Sequence, residues 1–131
     1  MTEENRRTNA EAELAVAEEA LDAAAKLVQF GLLRSAVSRA YYAAFHATRA
    51  LLATRGLEPR SHRGARHLLS THFVKTGELD LSTDRWVAHA EQDREDADYD
   101  TSAIFTAEVV AERIAQARGL IEAVRLRITA P

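Results

Sequence analysis

The sequence predicts an all-α fold: an up-and-down antiparallel four-helix bundle with one additional short helix. Three observations carry this expectation. Of 131 residues, 26 are Ala, the strongest helix former. Only 5 Gly and 2 Pro interrupt the chain, so segments are long and a turn-rich β-sandwich is excluded. Apolar residues recur at intervals of three and four in successive segments, the period of a helix with one buried face. The length is that of one domain, 1–131, with an ordered core expected over about 8–128.

The first helix is expected to begin near Thr8, where Thr8-Asn9-Ala10-Glu11 reads as a capping box. Its stripe is Leu14, Ala17, Leu21, Ala24 and Val28, and Gly31 stops it. A second helix runs from about Leu32 to Arg55, with Leu33, Val37, Ala40, Ala44 and Leu51 inward and Tyr41, Phe45 and Leu52 flanking them. Gly56 and then Pro59 close it. A shorter helix fits Ser61 to Lys75, with Ser61 as N-cap and Gly77 as stop. The fourth fits Ser82 to Tyr99, with Trp86, Val87, Ala90 and Ala97 to bury. The fifth runs from near Thr106 to Ile128 on the stripe Val110, Ile114, Ala117, Ile121, Val124 and Ile128. Short connections between long helices argue for the antiparallel arrangement.

With no Cys, the chain has no disulfide framework, thiolate nucleophile or Cys-ligated zinc. Apolar runs stay well under 18 residues, so no membrane contact is expected. The N-terminal residues carry no apolar signal-peptide segment, and a cytoplasmic location is expected. The net charge of −3 hides a segregation. From Arg34 to Arg66 there are seven Arg against Glu58 alone; from Glu78 to Glu112 there are eleven acids against Arg85 and Arg94. Either the segments neutralise each other across packed helices, or the Arg stretch faces phosphate, which the guanidinium fork binds bidentately.

The second helix bears a polar face at spacings of 4, 3, 4 and 3: Ser35, Arg39, Tyr42, His46 and Arg49. These fall within a sector of roughly 80°. No acid occurs from Gly31 to Gly56, which favours a phosphate-binding groove over a merely solvated face. In the fourth helix, Arg94 and Asp98 are i,i+4 and can pair. The run Asp96, Asp98, Asp100 is not a calcium loop, because its sixth position is Thr101 and its twelfth Ala107. His62, His67 and His72 are five apart and share no helical face, so no metal site is indicated, and no cofactor. His62 follows Arg60-Ser61 at a helix start, where free N–H groups favour an anion.

These motifs, taken in order, are similar to a known family. Ser38-Arg39-Ala40-Tyr41-Tyr42-Ala43-Ala44-Phe45-His46, Pro59-Arg60-Ser61-His62, Phe73-Val74-Lys75-Thr76-Gly77 and Arg94-Glu95-Asp96-Ala97-Asp98-Tyr99 resemble the small prokaryotic HEPN domains (higher eukaryotes and prokaryotes nucleotide-binding). The resemblance covers about residues 10–127. It implies a helical bundle that forms a homodimer, paired with a nucleotidyltransferase antitoxin in a toxin–antitoxin module, with RNA or a nucleotide as ligand. Many members are metal-independent ribonucleases, using an Arg followed four to six residues later by a His on the penultimate long helix, the two motifs meeting across the dimer. Carried onto this chain, the catalytic set is Arg94, Asp98 and Tyr99, with Arg39, Tyr42, His46 and His62 binding ligand or phosphate. The chain departs from the pattern at Tyr99, which stands where the His belongs; no His occurs from 95 through 101. His supplies proton transfer near neutral pH and an ordinary Tyr does not, so either His46 or His62 must substitute, or the domain binds without cleaving. A binding module for nucleotide or nucleotidyltransferase, and a helical dimerisation domain, are the alternative readings. In related pairs the nucleotidyltransferase adds AMP to a Tyr near the motif; here that residue would be Tyr99.

Overall fold

The computed structural model describes residues 2–129. Five helices form the predicted bundle: α1 (Glu3–Gln29), α2 (Leu33–Ala53), α3 (His62–Leu69), α4 (Ser82–Tyr99) and α5 (Ala107–Thr129). A π-helical turn, Ser70–Val74, extends α3. The helix at Ser61–Lys75 therefore exists, but its last turn is widened, with Lys75 N–H donating to the Ser70 carbonyl at 2.9 Å. Phe73 and Val74 are both buried there, alongside Leu69.

The start of α1 corrects the expectation. Thr2, not Thr8, is the N-cap, its hydroxyl oxygen accepting from the Asn5 N–H at 3.1 Å. Glu3 and Glu4 complement the helix dipole in the first turn, and nothing between them and Thr8 breaks a helix. Glu11 pairs with Arg7 at 3.0 Å, an ordinary i,i+4 contact within the helix.

The predicted stops at Gly31, Gly56 and Gly77 all have positive φ, a conformation open to Gly without steric cost. Ser61 caps α3 as expected, accepting from the Gly64 N–H at 2.8 Å. That contact places a Gly64 Cβ 3.0 Å from the Ser61 hydroxyl, a reason for glycine there; nothing in the structure explains Gly119.

Helix α2 is the hub. It packs most extensively on α1 and also contacts α3, α4 and α5, whereas α4 and α5 touch only lightly. Ala36, Ala40, Ala43, Ala44, Ala47 and Ala50 are essentially inaccessible. Their small side chains let neighbouring axes approach closely, because interaxial distance follows side-chain size. The abundant Ala is thus a packing device as well as a helix former.

Two apolar clusters result. One, near the α1–α2 turn, holds Ala24, Ala36, Val37, Ala40, Ala97, Val110 and Ile114. The larger one contains Leu51, Leu52, Leu69, Phe73, Leu120, Ile121 and Val124 among others. Tyr41 is only 2% exposed and belongs to neither cluster.

Arg34, at the start of α2, clamps the end of α4. Its guanidinium donates to the carbonyls of Ala97 at 2.8 Å, Asp100 at 3.1 Å and Ala103 at 2.8 Å. These are carbonyls beyond the reach of intrahelical donors. Replacing Arg34 with Ala should destabilise the fold by about 2–3 kcal/mol, since charged hydrogen bonds in partly buried settings carry that order of energy. Urea denaturation checks this through a lowered midpoint at unchanged slope; a loss below about 0.5 kcal/mol would contradict the clamp.

Candidate functional site

The site is built around Tyr41. Helix α2 places Tyr41, Tyr42 and Phe45 on adjacent positions of its wall toward α3 and α4. Ser61 caps α3 so that His62 is its first residue. The spacing of three between Glu91 and Arg94 puts both on one face of α4.

The Tyr41 hydroxyl is hydrogen-bonded to His62 Nδ1 and lies 3.5 Å from Glu91 Oε1. Arg66 Nε on α3 stands 2.8 Å from the other Glu91 oxygen, and the Glu91 side chain is 13% exposed. The His62 ring stacks on Phe45 at 4.3 Å between centroids, with 27° between planes, and meets the edge of Tyr42 at 6.5 Å. The Arg94 guanidinium lies 5.6 Å over the Tyr41 ring. Its side chain is 14% exposed and is held by Asp98 at 3.3 Å. Arg94 Nε is buried with no hydrogen-bond partner among the described residues. Burying a guanidinium N–H unsatisfied is costly, so this donor invites an acceptor from outside the chain.

Electrostatics follow from this placement. Burial raises the Tyr41 pKa well above its ordinary value, with Glu91 adding to the effect, so the hydroxyl keeps its proton. Burial lowers the His62 pKa below 6.5, and the positive charge of Arg94 lowers it further, against an opposing pull from Glu91 and Glu95. His62 is therefore neutral near pH 7.

The predicted residues divide into three groups. Arg94, Asp98 and His62 come together as described. Arg39 and Tyr42 border them, the exposed Arg39 guanidinium lying 4.7 Å over the Tyr42 ring. His46 lies on the other side of the α2 face, with Nδ1 3.2 Å from Glu13 Oε2 of α1; the same oxygen is 2.8 Å from Arg49 Nε. The acid missing from α2 is thus supplied by α1, and Arg49 is neutralised. A groove of about 360 Å³ between α1 and α2 is lined by Arg39, Tyr42 and His46 together with Val16 and Glu19. Tyr99 is 81% exposed at the end of α4. Five positions beyond Arg94 it is rotated about 140° around the helix, away from the Tyr41 site.

Mutual neutralisation accounts for much of the Arg stretch: Arg49 meets Glu13, Arg55 meets Glu78 and Arg66 meets Glu91. Arg39, Arg60 and Arg63 have no ion-pair partner among the described residues, and Arg60 and Arg63 flank His62 in the chain. Sequence reasoning missed Tyr41, Glu91 and Glu13 as site residues. Tyr41 looked like the edge of a core stripe, yet a buried Tyr hydroxyl requires a partner, and that requirement was the available signal. Glu13 and Glu91 sat in acidic helices with no local feature to separate them from solvated carboxylates.

An antiparallel helical bundle with an Arg–Tyr–His cluster enclosed between its second, third and fourth helices defines the class. A family model for the HEPN domain matches residues 10–127, and the chain belongs to that family. A Methanocaldococcus jannaschii protein named as a putative toxin is 37% identical across 85% of this chain and 90% of its own length. A UPF0332 protein of Thermotoga maritima is 34% identical over 82% of each chain. A UPF0332 protein of Pyrococcus horikoshii is 37% identical over 64% of this chain, and there the match spans 59% of the relative, less than two thirds of its length. Among the described residues, no helix is long and apolar enough to cross a membrane.

Because the folded-state pKa of His62 is depressed, its neutral form contributes stability above pH 6.5 that is lost as pH falls through the folded value. Thermal melts from pH 7.5 to 5 should show wild type losing stability more steeply than His62→Gln. Parallel curves for the two proteins would contradict the burial of His62 beside Arg94.

Proposed function

We propose that the chain is a toxin-type HEPN protein that acts on RNA as a metal-independent endoribonuclease, with His62 replacing the His absent after Arg94. One observation carries this reading. The fold brings His62 of α3 and Arg94 of α4 onto the same tyrosine, Tyr41, so that a proton-transfer group and a guanidinium with one unpartnered N–H share one site.

The chemistry is the attack of a ribose 2′-hydroxyl on the adjacent phosphorus. Neutral His62 accepts the 2′-hydroxyl proton as the new P–O bond forms. Arg94 balances the charge that grows on the phosphorane oxygens. His62 then returns the proton to the departing 5′-oxygen, leaving a 2′,3′-cyclic phosphate and a 5′-hydroxyl. Asp98 holds Arg94 in position. Arg39, Arg60 and Arg63 contact neighbouring backbone phosphates, and Arg39 over Tyr42 offers a surface on which a base stacks. In this reading the protein is a homodimer restrained by a nucleotidyltransferase antitoxin, and Tyr99, exposed at the end of α4, is open to modification by that partner.

The test is expression of wild type, Arg94→Ala and His62→Ala in a bacterial host, followed by incubation of the purified proteins with RNA in the presence of a chelator. Wild type should arrest growth and degrade RNA. Arg94→Ala should lose about 10²–10³-fold and His62→Ala about 10²–10⁴-fold in rate. Equal growth and intact RNA for all three would refute the ribonuclease. Mononucleotide binding that Arg39→Ala abolishes, without cleavage, would instead favour a binding module.

A further inference from the structure

The enclosed Tyr41 hydroxyl has one proton and two neighbours, His62 Nδ1 and Glu91 Oε1. Two arrangements are possible. If the hydroxyl donates to His62 Nδ1, the Glu91 oxygen faces only lone pairs of the phenol oxygen, and the imidazole proton sits on Nε2. If the hydroxyl donates to Glu91, the phenol oxygen accepts Nδ1–H from His62, and every donor meets an acceptor. A carboxylate can only accept, a phenol does both, and a neutral imidazole places its single proton on either nitrogen. The second arrangement leaves no acceptor facing another acceptor in a part-buried setting, where such a mismatch is costly. We infer that Tyr41 and Glu91 are positioning residues that hold His62 as its Nδ1–H form, which makes Nε2 the nitrogen that accepts a proton.

The consequence concerns proton transfer. With Nδ1–H donated to Tyr41, proton uptake at Nε2 changes no hydrogen bond inside the protein. The imidazolium so formed is connected through the Tyr41 hydroxyl to the Glu91 carboxylate, which Arg66 anchors from α3. In the opposite arrangement Nε2 already carries its proton, and uptake at Nδ1 would require the bond to Tyr41 to reverse and the hydroxyl to turn to Glu91. The raised Tyr41 pKa keeps a proton on the hydroxyl across the working range. The groups acting on His62 are Tyr41, Tyr42 and His46 from α2 and Glu91, Arg94 and Glu95 from α4, with Phe45 covering one ring face. Of these, Glu91 is the carboxylate joined to the ring through a hydrogen-bonded hydroxyl, which separates its role from that of Glu95.

The use of this arrangement in catalysis rests on the ribonuclease reading; the arrangement itself does not, and the two are tested separately. Nitrogen and carbon NMR shifts of His62 in isotopically labelled full-length protein at pH 8 report the tautomer without any RNA. Wild type should show Nδ1–H. Tyr41→Phe, which keeps the ring and its packing, should move His62 toward the Nε2–H form that a solvated histidine side chain prefers. Glu91→Gln should lower the His62 pKa further, because the carboxylate that raises it is gone. A wild-type Nε2–H tautomer, or a tautomer unchanged in Tyr41→Phe, would overturn the inference. Where RNA is cleaved, Tyr41→Phe and Glu91→Gln should each shift the acidic limb of the pH–rate profile; a uniform loss at all pH values would mark both residues as merely structural. The expected tautomers in a protein that leaves RNA intact would defeat the ribonuclease reading and leave the positioning assignment standing.

Discussion

The structure turns on the burial of one hydroxyl. Tyr41 lies on the helix that contacts every other helix, and it is only 2% exposed while belonging to neither apolar cluster. A phenol so placed must have hydrogen-bond partners, and α2 has none to offer from its own small-residue face. The partners come from α3 and α4. His62 is supplied because Ser61 caps α3 one residue before it, and Glu91 because α4 lies against α2 with Arg34 fastening its end. The polar contact thereby fixes how the short helix sits between the long ones. It also carries Arg94 to the ring of the same tyrosine.

Charge is distributed to the same end. The Arg stretch and the acidic segment partly neutralise each other, as Arg66 with Glu91 and Arg55 with Glu78 illustrate. Such contacts, where exposed, contribute little to stability. What remains after the pairing matters more. Among the described residues Arg39, over the Tyr42 ring, and Arg60 and Arg63, on either side of His62 in the chain, have no ion-pair partner, and Arg94 keeps one buried donor free. A net charge of −3 therefore coexists with unpaired arginines within two residues of a His of depressed pKa.

Much of the fold was legible because helical signals are local. The stops at Gly31 and Gly56, the Ser61 cap and the stripe from Val110 to Ile128 each depend on residues close in sequence. The start of α1 was misplaced because Thr2 and Thr8 both offer a capping hydroxyl, and continuity of the helix across Thr8 decides between them. The widened turn at Ser70–Val74 leaves no sequence mark; it accommodates the joint burial of Phe73 and Val74. The site was legible in part. Arg94, His62 and Tyr42 stood out by residue type and position. Glu13, paired with His46 across α1 and α2, and Glu91, joined to Tyr41, did not, because contacts 33 and 50 residues apart are set by packing alone. Tyr99 filled the place of the expected His in the motif, yet helical rotation turns it outward, and the histidine at the site comes from a different helix.

The proposed function depends on His62 lying close enough to Arg94 to feel its charge. The most direct test of that closeness is an NMR pH titration of His62 in wild type and Arg94→Gln. His62 should titrate below its ordinary 6.5 in wild type, and its pKa should rise when the Arg94 charge is removed. A His62 that titrates at its ordinary value and ignores Arg94→Gln would place the two residues in separate environments and contradict it.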